Sequence, residues 1–142
     1  MIGINPIFST AVRLVIAQRL VRRLVDATKE EYDPDEATRN YVRRVLENLP
    51  DGTVHPDLNT FKLWRPKASD DAPFGYKGRM VIMEQLVVDE EIQKYIRGDI
   101  DDVHPDAIEA TARKQGMVTL EQAGVLAALR GQTTLDEVAR VI

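Results

Sequence analysis

The sequence predicts an α/β chain that is mostly helical, and three observations carry that reading. Residues 89–142 place helix starts and glycine stops at short intervals. The run "RMVIMEQLVV", residues 79–88, is rich in Val, Ile and Leu and follows a glycine turn, the pattern of a strand. Near the beginning, Leu14, Ala17, Val21, Leu24 and Val25 recur at helical spacing. A chain of 142 residues with 44% hydrophobic and 30% charged content has the makings of one ordinary globular core.

Taken in order, the first element is a helix over residues 9–27, with Ser9 or Thr10 as its cap. On it Gln18, Arg19, Arg22, Arg23 and Asp26 share a polar arc at about 100° per residue, and Arg13 lies on the opposite side. Residues 29–73 form a polar insertion. Within it Asp33-Pro-Asp-Glu36 reads as cap, N1 proline and N3 acid of a helix through Tyr41, Val42, Val45 and Leu46. That helix ends before Pro50-Asp-Gly52. Loops follow, with a short strand near 61–64. Gly75 and Gly78 then turn the chain into the strand ending at Val88. The remainder is helical: 89–97 stopped by Gly98, 106–115 stopped by Gly116, and 119–130 stopped by Gly131. Thr119-Leu-Glu-Gln122 and Thr134-Leu-Asp-Glu137 are capping boxes, the second opening the last helix.

Composition excludes several classes of function. The net charge of −4 argues against a nucleic-acid binder, and aromatics are not interleaved with the arginines as base stacking needs. With no cysteine there is neither a disulfide nor a thiolate metal site. His55 and His104 are far apart in sequence and each precedes a proline, which speaks against a histidine metal site. The longest apolar run, "AVRLVIAQRLVRRLV", is broken by four arginines and a glutamine, against the ~20 apolar residues of a membrane span. A soluble, cytoplasmic chain is expected.

Gly75-Tyr-Lys-Gly78-Arg79 invites comparison with a phosphate loop. That loop needs a longer glycine frame ending in Gly-Lys-Ser/Thr between a strand and a helix, and here a strand follows. A tight turn using the positive φ open to glycine fits better. Arg19, Arg22 and Arg23 could meet phosphate or an acidic partner, or be a solvated face paired with Asp26 or Glu30. Asp89, Glu90 and Glu91 suit a first helical turn, where acids complement the dipole. Asp99, Asp101 and Asp102 lack the ligand pattern of a calcium loop. Glu84 is either a buried acid with a partner such as Arg79 or a solvent-facing one.

Three blocks, in order, resemble the ATPases of type II secretion and type IV pilus assembly. "GINPIFSTAVRLVIAQRLVRRLVDATKEEYDPDE" is similar to the segment after that family's nucleotide-binding motifs: a Gly-(Ile/Val)-x-Pro start at Gly3 to Pro6, Gln18-Arg-Leu-Val-Arg22, then Tyr32 with acids through Glu36. "GYKGRMVIMEQLVVDEEIQKYI" resembles its Gly-Tyr-x-Gly-Arg strand and acidic helix start. "ARKQGMVTLEQAGVLAALRGQTTLDEVARVI" resembles its C-terminal helices. The resemblance leaves residues 38–67 unassigned.

The resemblance implies the C-terminal part of a RecA-like P-loop ATPase core. Residues 1–28 would complete that core, 29–73 would be an inserted lobe, 74–88 a turn and strand, and 89–142 a helical subdomain. Many members carry two Cys-x-x-Cys zinc motifs in the lobe; the aligned positions here are Val25, Thr28, Ala68 and Asp71. Zinc is therefore not expected, and Trp64, Phe61, Leu58 and Leu46 are expected to form a small core instead. The family's Walker A, Asp box, Walker B and His box lie upstream of what matches, so ATP and Mg²⁺ would belong to the parent and this chain alone would not turn over ATP. The implied partners are other subunits of a homohexameric ring and an inner-membrane platform protein, at the inner face of the cytoplasmic membrane and without direct insertion. Arg13, Arg19, Arg22, Arg79 and Glu84 are the candidate intersubunit or ionic contacts. The alternative is a stand-alone interaction module that keeps this fold without the motor.

Overall fold

A computed structural model describes residues 6–100 and 104–142 of the chain. The Gly3–Asn5 stretch of the first matched block, and the acids Asp101 and Asp102, lie outside them. The described part is mixed α/β, with two small antiparallel sheets and helices packed against them.

The first element is a short helix, α1 (Pro6–Ala11), and the predicted helix over 9–27 is not formed. Thr10 lies inside α1, its hydroxyl donating to the Ile7 carbonyl. Leu14 to Leu24 is instead strand β1, paired antiparallel with the strand of residues 76–87 from Leu14↔Val87 to Arg22↔Arg79. The long-range partner decides the matter, because strand formation by such a run depends on what it pairs with and packs against. The helix-like spacing also has a local cause. Val21 and Leu24 are both buried although three apart. Simple alternation would not allow that, and the register shift between Arg22 and Leu24 supplies the change of face.

Strand β2 (Glu30–Tyr32) pairs with β3 (Leu63–Arg65), the latter close to the expected position and the former unforeseen. Between them runs α2 (Glu36–Val45), whose cap is Asp35 rather than Asp33. The Asp35 carboxylate accepts from the Thr38 N–H at 2.8 Å, so Pro34 precedes the helix instead of opening it. The returning loop is tied to α2 by arginines: Arg39 donates to the carbonyls of Asn59 and Phe61, and Arg43 to that of Leu58.

The insertion does not hold a core of its own. Leu46 and Phe61 are buried, with Leu58 beside them, but they pack together with Val125, Leu126, Ala128 and Leu129 of the helix at 120–129. Trp64 faces away from that cluster, toward Lys29 and Gly131. Buried Gln122 also donates to the Val45 carbonyl at 3.1 Å, satisfying the end of α2 from the same helix.

The second long strand, β4 (Tyr76–Val87), follows the glycine turn as expected, with Gly78 inside it. After it come α3 (Glu90–Arg97), capped by Asp89 and closed by Gly98, and α4 (Pro105–Lys114), followed by Gly116. These two pack through Ile92 and Ala112 onto Val88, together with Met117 from the segment after α4. Helix α5 (Leu120–Leu129) has both bonds of the capping box at Thr119 and Gln122, and α6 (Leu135–Val141) starts at Thr134. In α6 only one bond of the expected box forms: the Thr134 hydroxyl accepts from the Glu137 N–H. The Glu137 carboxylate goes elsewhere.

Candidate functional site: the two faces of the β1–β4 ribbon

Residues directly opposed across an antiparallel pair point to the same face. The rungs Val21–Met80, Arg19–Ile82, Ala17–Glu84 and Val15–Leu86 form one face. It is covered toward the Val21 end: Val21 and Ile82 are buried with Ala127 of α5, and Met80, Leu120, Ala123 and Val141 pack around them, while Val15 at the other end is 46% exposed. The other face is built from Leu14–Val87, Ile16–Gln85, Gln18–Met83, Leu20–Val81 and Arg22–Arg79. Leu14, Ile16, Leu20, Val81, Met83 and Val87 are all between 41% and 60% exposed there. This is a contiguous apolar strip, ended by a rung of two arginines.

A buried carboxylate closes the arginine end. The Glu137 side chain is only 3% exposed, and Arg22 and Arg140 grip it from two sides. The backbone N–H of Arg22 donates to Oε2 at 2.9 Å, and its Nε and Nη2 donate to Oε1 at 3.0 and 2.7 Å. Arg140 donates from Nε to Oε1 at 3.3 Å and from Nη2 to Oε2 at 2.9 Å. Burial alone would raise the pKa of this acid. The hydrogen bonds from the Arg22 and Arg140 side chains and the Arg22 N–H outweigh it and hold the carboxyl at about 2. The Arg22 guanidinium also stacks over the Tyr76 ring at 4.3 Å, and the Tyr76 hydroxyl meets that of Thr134 at 3.0 Å.

The same place receives the edge of β1. The Thr133 hydroxyl donates to the Arg22 carbonyl, and the Leu24 N–H donates to the carbonyl of Gln132. Together with Glu137, the segment entering α6 thus satisfies backbone groups of β1 that β4 leaves over.

The candidate contacts from the sequence are scattered over this ribbon. Arg22 and Arg79 share the terminal rung of the open face. Arg19 lies on the covered face, its Nε donating to the Val141 carbonyl at 3.1 Å beside the end of α6. Arg13 is exposed just before β1, and its carbonyl accepts from the Val88 N–H at 2.9 Å. Glu84 does not face Arg79, since alternation puts them on opposite faces. Its Oε2 accepts from the Leu120 N–H at 2.9 Å, at the start of α5. Glu137 and Arg140 were not among the sequence candidates. Glu137 was assigned to a capping box, and no local signal ties it to Arg22, 115 positions away.

The glycine stretch is the return turn from the insertion. Gly75 has φ +74°, and a Cβ there would lie 2.6 Å from the Lys67 nitrogen and 2.6 Å from the Pro66 Cβ. Gly78 has φ +75° with open space around it, and it sits where β4 carries one more residue than β1 opposite. Of the positions that the resemblance aligns with zinc cysteines, Val25 and Thr28 lie on the turn after β1, and Ala68 and Asp71 on the turn before β4. Backbone bonds fasten these turns: Ser69 and Ala72 exchange a pair, Gly75 donates to Ala72, and Val25 donates to Gly75. Among the described residues no group of three or more His, Cys, Asp and Glu is placed to hold a metal ion, and no helix is long and apolar enough to cross a membrane.

Comparison with known proteins adds a family. The model of the family described as "Type II/IV secretion system protein" matches residues 2–140. The chain is 38% identical over 139 residues to the type II secretion system protein E of Xanthomonas campestris pv. campestris, covering 95% of this chain and 22% of that protein. It is 35% identical over 133 residues to the type IV pilus assembly ATPase PilB of Pseudomonas aeruginosa, covering 94% of this chain and 21% of that one. It is 37% identical over 143 residues to the PilB of Thermus thermophilus, 99% of this chain and 15% of that protein. The chain thus spans about a fifth of the length of these relatives.

Proposed function

Because the chain belongs to the type II/IV secretion system protein family, we propose that it serves as the C-terminal region of a secretion or pilus-assembly ATPase. In this reading the parent drives pilin-like subunits through an inner-membrane platform protein by hydrolysing ATP with Mg²⁺, and the nucleotide is held by segments outside this chain. This piece completes a RecA-like core and supplies contacts within a hexameric ring and toward the platform, on the cytoplasmic side of the membrane. Arg13 and Arg79, exposed on the surface, are the contacts we favour. The lobe holds its shape without zinc, through backbone bonds and the core it shares with α5.

One observation carries this reading: the open face of the β1–β4 ribbon. Six large apolar side chains stand there at 41–60% exposure on two adjacent strands. A sheet buries its apolar face against another layer, and a contiguous exposed patch marks a surface that meets something. In this reading the partner is the rest of the ATPase core.

The test is Ile16→Asp, made both in the 142-residue chain and in an intact ATPase of the family carrying this region. In the chain alone the side chain is already exposed, so urea denaturation should change by no more than about 1 kcal/mol. In the intact ATPase, ring assembly and ATP turnover should fall together. Unchanged assembly and turnover would remove the proposed packing. Two further results are expected of the purified 142-residue chain. It gives no ATP turnover above a blank, and elemental analysis finds no stoichiometric zinc. Turnover would refute the placement of the nucleotide site, and bound zinc would refute the account of the lobe.

A further inference from the structure

We propose that the recess bounded by Leu20, Arg22, Arg79 and Arg140 is a binding site for a phosphate dianion, either free phosphate or a phosphate monoester. The recess is open to solvent and has a volume of about 520 Å³. Three arginines line it, and two of them, Arg22 and Arg140, share the one buried carboxylate of Glu137. Two positive charges are therefore left unbalanced.

Two of the three cations are already positioned. Arg22 is fixed by Glu137 on one side and by the Tyr76 ring beneath it. Arg140 is fixed by its two bonds to the same carboxylate. Each of these bonds uses the Nε and Nη2 edge, so both Nη1 groups keep their donors for a ligand. With these side chains already ordered, binding has less rotamer freedom to remove. Arg79, paired across the ribbon with Arg22, is exposed and supplies the third guanidinium from the opposite strand.

The donor set favours phosphate over carboxylate. A carboxylate is already present: Glu137 takes the Nε and Nη2 edges of both Arg22 and Arg140. Donors arriving from three guanidinium groups on two strands and a helix suit a tetrahedral ion with several acceptor oxygens. The recess is larger than a phosphate ion, and its Leu20 wall leaves apolar surface for the organic part of a monoester. This inference uses only residues within the chain, and two of them, Leu20 and Arg79, also belong to the surface that the proposed function assigns to contacts.

The experiment is a titration of the isotope-labelled 142-residue chain, followed by backbone amide shifts at constant ionic strength. Inorganic phosphate is one ligand and glycerol 3-phosphate the other; acetate and malonate serve as controls. Saturable shifts at Leu20, Arg22 and Arg79 with phosphate, and none with the carboxylates, are expected. Tighter binding of glycerol 3-phosphate would assign the site to monoesters, and equal binding to the phosphate group itself. Arg79→Gln, a change at an exposed side chain, should weaken binding about tenfold or more, as loss of a charged hydrogen-bond donor does. Arg130→Gln, at an exposed arginine elsewhere, should leave it unchanged. The proposal fails if the carboxylates bind equally, if no shift localises to the ribbon end, or if Arg79→Gln binds phosphate as well as the unaltered chain.

Discussion

Replacing Gly75 with alanine should destabilise the chain by more than about 3 kcal/mol, while the same change at Gly78 should cost only about 1–2 kcal/mol. Both glycines have nearly the same positive φ, +74° and +75°, so the conformational penalty on an L-residue is shared. What separates them is space. An alanine methyl at Gly75 would overlap the Lys67 nitrogen, the Pro66 Cβ and the Lys67 carbonyl oxygen at 2.6 to 2.9 Å. Two of these atoms are backbone, so relief requires moving the chain where the insertion rejoins the ribbon. The Val25–Gly75 hydrogen bond, which joins the two turns, and the Gly75–Ala72 bond within the second would move with it. At Gly78 nothing lies within reach of the added methyl. Urea unfolding of the two variants checks the difference; equal losses would show that close approach at Gly75 is not what matters.

The second large effect is expected at Glu137. Glu137→Gln should cost about 3 kcal/mol, because it removes the one negative charge that Arg22 and Arg140 share and leaves a buried amide with donors facing donors. The same group sets an acid limit. Its pKa is held at about 2 in the fold, against 4.5 when unperturbed, so the folded state binds the proton less readily than the unfolded chain. The stabilisation is complete above about pH 4.5 and is lost as the pH falls toward 2. It amounts to about 2–3 kcal/mol at neutral pH, allowing for the half-exposed arginines. Acid titration of stability should therefore show a steep loss across this window in the unaltered chain and a shallower one in Glu137→Gln. A profile unchanged by the substitution would mean that the carboxylate is not the acid-sensitive group. Arg22→Ala should cost more than Arg140→Ala, since Arg22 also stacks on Tyr76.

What could be read from the sequence was what neighbouring residues decide. The starts at Asp89 and Thr119 and the ends near Gly98, Gly116 and Gly131 follow from cap chemistry within a few positions, and they stand as expected. The β4 strand was legible for a similar reason, as a branched run bounded by a turn. The β1 strand was not. Its apolar spacing fits a helix, and its identity depends on β4, far along the chain, and on the segment entering α6 at its edge. The candidate site divides the same way. Arg22 and Arg79 were visible as charges in notable runs, but their shared rung, the buried acid between Arg22 and Arg140, and the recess they make exist only once distant segments pair. Asp35 displaced Asp33 as the cap of α2 by a shift of two positions, a choice between two acids flanking Pro34 that local pattern leaves open.

The Arg22–Glu137 clamp also bears on the order in which the chain folds. Helix α5 and its capping box need only local contacts, so they can form early, whereas β1 must find partners at the far end of the sequence. Contacts of such separation carry a loop-closure cost before they reward it, and they slow folding. The ribbon end is thus expected to lock late, after local elements such as α5 have formed. Interactions made after the transition state act mainly on the unfolding rate. The clamp would then set how long the folded chain survives rather than how fast it forms.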